Sequence, residues 1–149
     1  MNWQVSLAIF IGLVASAEDL RSRQIPNWIP VTAVAGGLTL AGFEAGWRGL
    51  GSALLGMLLG FAVFFLFYAL GGMGGGDVKL MAGFGAVLGV AQIWQAAIWT
   101  ALIGGVAALV AAGWSAWRAR RGQASSVRES IPYGPAIALG AWLTLWGRT

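Results

Sequence analysis

Five side chains exhaust the carboxylate chemistry open to this sequence: Glu18, Asp19, Glu44, Asp77 and Glu129. Histidine and cysteine are both absent. Their absence removes the usual general base, the usual metal ligand, thiolate catalysis, disulfides and Cys-ligated zinc. Asp77 draws attention first, because it follows the run Gly71-Gly72-Met73-Gly74-Gly75-Gly76 and precedes Val78-Lys79-Leu80. An ionisable residue at or near bilayer depth is costly and is a functional hypothesis by default. Two carboxylates facing each other can hydrolyse an amide with no metal, thiol or imidazole. Like charges a few ångströms apart cannot both ionise cheaply, so such a pair holds one proton between them. The ionised member takes a proton from a water between them, while the protonated one polarises the scissile carbonyl and helps the amine leave. The chemistry therefore depends on which acid can reach Asp77.

The elements that carry these acids are apolar. Of the 149 residues 58% are hydrophobic and only 9% charged, against roughly 25% charged in a soluble protein. The length fits one domain, and so few charges could not cover its surface in water. The composition predicts an all-α, polytopic membrane protein, a bundle of about six transmembrane helices. Six apolar segments run Trp3–Ala17, Trp28–Phe43, Leu50–Leu70, Val78–Ile93, Gln95–Trp117 and Ile131–Trp146. Several are shorter than the ~20 residues of a perpendicular span, so either the helices run past these marks or the bilayer thins locally. Trp3, Trp28, Trp47, Trp94, Trp114, Trp117 and Trp146 stand at or near segment ends, where an interfacial aromatic belt would put them. Gly56/Gly60 and Gly85/Gly89 have the four-residue spacing of close helix packing. Ala15-Ser16-Ala17 resembles a signal-peptidase site, but Met1-Asn2-Trp3-Gln4 supplies no basic n-region. The first segment is expected to be a retained helix.

Loop charges orient the bundle. Arg21, Arg23, Lys79, Arg118, Arg120, Arg121 and Arg128 fall after the first, third and fifth segments, leaving only Arg48 and Arg148 opposite. By the positive-inside rule the first set faces the cytoplasm and both termini lie outside. This placement also assigns the net charge of +4 to topology rather than to a nucleic-acid partner. The stretch Arg118–Glu129 reads as a flexible loop that touches lipid headgroups, with a protein docking surface as the alternative. Asp19 closes the first segment and Asp77 opens the fourth, both on the cytoplasmic side. Glu44 falls on the far side and Glu129 lies beside Arg128. Glu18 points about 100° away from Asp19 on a helix and reads as a solvated neighbour. Asp19 is the one partner for Asp77 at the same depth.

The glycine run is weak evidence by itself. It does not complete a G-x-G-x-x-G dinucleotide loop, since Asp77 occupies the last required position, and it lacks the Gly-Lys-Ser/Thr of a P-loop. Without a partner acid, Asp77 reads equally as a structural or ion-pathway residue. With one, a strip free of side chains can offer its backbone to a substrate helix that unwinds before attack.

Gly74-Gly75-Gly76-Asp77 is a G-x-G-D motif, and Gly76-Asp77-Val78-Lys79-Leu80 resembles the second active-site motif of prepilin peptidases, which are membrane aspartyl proteases. Asp19-Leu20-Arg21-Ser22-Arg23-Gln24-Ile25-Pro26-Asn27 resembles their first motif, and Ile131-Pro132-Tyr133-Gly134-Pro135-Ala136 their late Pro-x-Gly-Pro element. The three stand in family order along almost the whole chain. The resemblance implies a single integral-membrane peptidase domain over residues 1–149, with Asp19 and Asp77 as the catalytic pair. Its substrate would be a prepilin or pilin-like precursor, cut at the cytoplasmic membrane face between a basic leader and an apolar helix. Gly74, Gly75 and Gly76 would shape the strip beside Asp77. Lys79 would anchor at the interface or position substrate, and Pro26 would end one helix where Asn27 caps the next. No metal or cofactor is expected; membrane lipid and pilus-assembly machinery are the further partners. Larger relatives carry a domain with paired Cys-x-x-Cys motifs and also methylate the new N-terminus. Without cysteine, methyl transfer is not expected here, and the pattern resembles the short peptidases that serve tight-adherence pili.

Two other readings use the same acids. A proton or ion relay would place them in a polar break between helices, and an assembly subunit would use the glycines for packing alone. A relay across the membrane wants acids at staggered depths, whereas Asp19 and Asp77 share one face.

Overall fold

In the computed structural model, residues 3–121 and 133–146 are described, and all regular structure among them is helical. A chain this apolar has to satisfy its backbone N–H and C=O groups internally, and helices do so within each segment. The order is α1 (Trp3–Ser22), α2 (Trp28–Ala69), α3 (Gly75–Leu88), α4 (Val90–Arg120) and α5 (Gly134–Trp146). Among these, α1, α2 and most of α4 are long and apolar enough to cross a membrane. Phe43, Trp47, Leu70, Leu109 and Trp146 are among the large apolar side chains that face outward. Apolar exposure on that scale suits a lipid surround, not water.

The centre of the bundle is α3. From Asp77 to Leu88 all but Lys79 are buried, which is what a helix apolar all round requires. It lies in the fold of α2, whose 42 residues contain two non-helical positions, Ala45 (φ −131°, ψ 16°) and Gly46 (φ 57°, ψ −138°). The contacts show that the chain reverses there. Ascending α2 from Ala33 to Gly37 meets α3 ascending from Gly83 to Ala86. Beyond the bend, Gly56 meets Gly85 and Gly89 while Gly60 meets Met81, which is descending order. The two arms of α2 are therefore antiparallel, and they correspond to the second and third apolar segments. Five helices thus provide six helical runs.

Glycine makes this packing possible. A Cβ on Gly56 would overlap the Gly85 carbonyl, and one on Gly37 would stand 2.6 Å from the Ala86 carbonyl carbon. The pairs Gly56/Gly60 and Gly85/Gly89 serve the close approach that their spacing predicts.

The other helices close around this unit. On α1, Ala8, Ile11, Gly12, Ala15 and Asp19 form the buried stripe, with the three- and four-residue steps of one helix face. Along α5, Gly134 meets Asp19 and Trp142 meets Gly12, so these two helices are antiparallel. The same holds for α4 and α5, since Gly104 meets Tyr133 and Gly140 meets Thr100.

Several boundaries differ from expectation, among them the start of α3 at Gly75, not Val78, and the end of α4 at Arg120, past Trp117. The fourth and fifth segments divide at Gly89, not between Ile93 and Gln95. No polar loop marks the break. Gly89 adopts φ +77°, a conformation that costs a glycine little, and Val90 N–H donates to Ser52 Oγ at 3.2 Å to start α4. The first helix also runs past Ala17 to Ser22, because helicity continues where apolarity stops. The loop expected at Arg118–Glu129 lies mostly outside the described residues, as do Ile131 and Pro132.

Candidate active site

Asp19 arrives on the last turn of α1 and Asp77 on the first turn of α3. Both are buried, at 5% and 8% exposure, and the residue before Asp77 packs against the chain that leaves α1, since a Cβ on Gly76 would stand 3.2 Å from Cβ of Ile25. The structure thus brings together the two acids that loop charges put at one depth. Glu44 does not join them: its Oε2 accepts from Trp3 Nε1 at 2.6 Å, at the opposite end of α1. Glu18 is half-buried beside Asp19, and Glu129 lies outside the described residues. Among the described residues no group of three or more His, Cys, Asp or Glu could hold a metal ion.

Each carboxylate is held by one oxygen on a glycine backbone. Gly134 N–H donates to Asp19 Oδ2 at 2.8 Å, and Gly74 N–H donates to Asp77 Oδ2 at 3.1 Å. The second bond is half of a capping box, in which the third helical residue reaches back to the residue before the helix. Gly74, with no side chain, cannot make the reciprocal half. The first bond ties α1 to the start of α5, where unpaired N–H groups and the helix dipole both favour a carboxylate. In each case a side chain on the glycine would crowd the acid. A Cβ on Gly134 would stand 2.8 Å from Asp19 Oδ2, and one on Gly74 3.2 Å from Asp77 Oδ2. Among the described residues, neither Oδ1 has a hydrogen-bond partner.

The remaining glycines divide into different jobs. Gly71 (φ +75°) ends α2: its N–H donates to Tyr68 O and that of Gly72 to Phe67 O, both at 2.9 Å. That pair of bonds is a Schellman motif. Gly74 is extended, whereas Gly75 and Gly76 already belong to α3. The run is therefore a helix stop, a short extended link and a helix start, not one extended strip. Gly76 lets the two acidic motifs meet, since a Cβ there would stand 3.2 Å from Cβ of Ile25. Gly75 has ordinary spacing to the Tyr68 ring.

Pro26 and Asn27 precede α2 as expected, but Asn27 makes no side-chain cap bond. Its backbone is near-helical (φ −60°, ψ −25°), whereas a capping side chain normally leaves from extended backbone. Its Oδ1 instead accepts from Lys79 Nζ at 2.9 Å. Lys79 is exposed and turns away from Asp77 toward the start of α2. Both residues head a groove of about 700 Å³ that continues past Val34 and Leu38.

The sequence motif containing Gly134 carries no assigned role, and the bond from this residue to Asp19 is the contact at the candidate site that sequence reasoning missed. Its only signal was the Pro-x-Gly-Pro spacing. Nothing in residues 131–136 says that a backbone N–H there will meet a side chain from α1.

Comparison with known proteins gives this geometry a family. Residues 6–109 match the model of the type IV leader peptidase family. A prepilin leader peptidase/N-methyltransferase of Bacillus subtilis is 33% identical over 91% of this chain and 52% of its own length. The protein of that name from Aeromonas hydrophila is 32% identical over 98% and 51%. One from Burkholderia pseudomallei is 32% identical over 90% and 43%. The chain spans about half the length of these curated relatives. No solved structure matches it. With the match covering most of the sequence, including both acidic motifs, the chain belongs to the type IV leader peptidase family.

Proposed function

We propose that this protein is an aspartyl endopeptidase of the inner membrane that removes the basic leader from a prepilin or pilin-like precursor at the cytoplasmic face. The observation that carries the reading is two buried carboxyls, Asp19 near the end of α1 and Asp77 at the start of α3, each held on one oxygen by a glycine N–H. Holding Oδ2 in each case leaves Oδ1 of both for one water. One carboxylate takes a proton from that water as its oxygen bonds to the scissile carbonyl carbon. The other carboxyl, protonated, donates to the carbonyl oxygen. The tetrahedral intermediate then collapses: the C–N bond breaks, the carboxyl that took the water's proton gives it to the leaving amine, and a hydroxyl of the intermediate returns its proton to the other carboxylate, so the pair again shares one. Two like charges in a poorly solvated site favour that shared proton.

Loop charges support the cytoplasmic placement of the site and an outer placement of both termini. Leaders cut on that face are basic, while the site lies among apolar helices, so the bond reaching the acids would be the junction of leader and apolar helix. The proposal covers leader cleavage without methyl transfer, metal or cofactor.

The test is co-expression with a precursor carrying a basic leader, following its size on a gel. Asp19→Asn and Asp77→Asn each keep side-chain volume and remove the ionisable oxygen. Either change should leave the precursor uncut while the protein still inserts. Full cleavage by either variant would overturn the pair.

A further inference from the structure

The cations assigned to one face of the bundle stand at two heights. Arg21, Arg23 and Lys79 are exposed around the end of α1 and the start of α3, level with the acids. Arg118, Arg120 and Arg121 stand at the far end of α4. Contacts fix the offset between the two sets. Gly134 holds Asp19 and Tyr133 packs on Gly104, so α4 is level with the acids at Gly104. Residues 105–117 continue the helix with no charge, and none of them is buried. At about 1.5 Å per residue they carry α4 roughly 20 Å past the acids. The end is built for a membrane interface, where amphipathic rings and basic side chains gather. The Arg118 guanidinium lies 5.8 Å from the centre of the Trp114 ring, and that of Arg121 4.0 Å from the centre of the Trp117 ring, both within cation–π reach.

The short helices give an offset of the same kind. Between the acids and the outer end of the bundle, α3 has 14 residues and α5 has 13, about 20 Å each. The hydrocarbon core is ~30 Å thick, so these helices fall about 10 Å short of it. The span Val90–Arg118 has 29 residues, about 43 Å, and crosses the whole core even at a tilt of ~40°. No flat membrane fits both. A surface level with the acids would leave the side chains of Val106, Leu109 and Val110, all exposed, in water. A surface level with Trp117 would sink Arg21, Arg23, Lys79 and the irregular, largely exposed backbone of residues 23–27 into hydrocarbon, where such backbone does not occur. We infer that the cytoplasmic surface of the bilayer slopes across this protein. It stands high along the free half of α4, which lipid chains cover, and is drawn down by about 10 Å or more over α1, α3 and the start of α5. The depression admits water to carboxyls that otherwise lie among apolar helices. Under the leader-peptidase reading, on which only this use rests, it supplies the water that hydrolysis consumes and keeps the basic leader out of hydrocarbon.

The chain contains no cysteine, so a single introduced thiol reports on one position. Gln24→Cys stands level with the acids, and Val106→Cys, Leu109→Cys and Val110→Cys lie along the free half of α4. Membrane vesicles with the cytoplasmic side outward are treated with a charged, membrane-impermeant maleimide, and the total thiol is counted after SDS. A thiol in hydrocarbon stays protonated and unreactive, so Gln24→Cys should label about 10-fold or more faster than the α4 variants, although it lies deeper along the bundle. Three α4 positions keep the test decisive should one variant fail to accumulate. Labelling at Leu109 as fast as at Gln24 would put the free half of α4 in water. Labelling at Gln24 as slow as at Leu109 would put the acids beneath hydrocarbon. Either result overturns the slope and leaves the peptidase standing, since labelling requires no cleavage. The same contrast seen only from right-side-out vesicles would uphold the slope and overturn the cytoplasmic placement of the site.

Discussion

Gly134 holds Asp19 from a distance of 115 residues along the chain, by an N–H···Oδ2 bond of 2.8 Å. The same glycine leaves the room in which the carboxylate sits, because a Cβ would come within 2.8 Å of that oxygen and 2.9 Å of Asp19 Cβ. Gly134→Ala keeps the N–H but drives the acid from it. Hydrogen bonds to charged groups are worth about 1.5–3 kcal/mol, so cleavage should fall about 10- to 100-fold. The loss should appear in the rate per inserted protein, measured against a membrane-fraction blot. An alanine variant that cleaves at the wild-type rate would show that Gly134 does not position Asp19.

Much of this site was legible because the sequence offers so few alternatives. With no His or Cys, and with Arg21, Arg23 and Lys79 on one set of loops, topology left Glu18 and Asp19 at the depth of Asp77, and the turn of about 100° between helix neighbours set Glu18 aside. The glycine pairs on α2 and α3 were legible for a similar reason, since a four-residue step puts both on one face. What stayed hidden depends on tertiary placement or on backbone angles that side-chain patterns do not encode. The break at Gly89 falls inside an unbroken apolar run. The role of Gly134 requires knowing that α5 returns beside α1. Asn27 was expected to cap α2, but a lysine from α3 competes for its carbonyl oxygen.

Packing along the glycine seam is testable apart from chemistry. A side chain at Gly56 would run into the Gly85 carbonyl and the backbone of Gly89, neither of which can rotate away. Gly56→Leu should destabilise the bundle by about 1–3 kcal/mol or more, the range for overpacking. Thermal unfolding in detergent would register it as a clear fall in Tm. Gly51→Leu and Gly113→Leu are the controls, since a Cβ at either meets nothing within 4 Å. They should change stability by no more than about 0.5 kcal/mol.

At the turn into α4, two residues share one space. Ser52 Oγ accepts the Val90 N–H at 3.2 Å, capping a helix to which it does not belong. The same oxygen would stand 2.7 Å from a Cβ on Gly89. Ser52→Ala should cost about 0.5–2 kcal/mol, as other lost caps do. Gly89→Ala meets both its φ of +77° and the serine, so it should cost more than the 1–2 kcal/mol of a left-handed alanine. In the double variant the obstructing oxygen is gone. Its loss in Tm should therefore be smaller than the sum of the two single losses, and strict additivity would mean that Ser52 and Gly89 do not interact.

The Lys79–Asn27 bond joins the second turn of α3 to the start of α2, between side chains that are both exposed. Solvent screens such a contact, and its coupling should be about 0.2–1 kcal/mol in a double-mutant cycle of Asn27→Ala and Lys79→Ala read by Tm. If Asn27 acted as a helix cap, its loss would be the same with or without Lys79, and the coupling would vanish. Asn27→Asp separates the two roles more sharply. Aspartate puts a full charge opposite the ammonium and also suits a helix N-terminus, so stability should rise at low salt. With Lys79 present, most of that gain should disappear as ionic strength approaches 1 M, where the screening length falls to about 3 Å. In a Lys79→Ala background the gain from aspartate should shrink to the dipole contribution alone. A gain of equal size in both backgrounds would show that the lysine does not pair with residue 27.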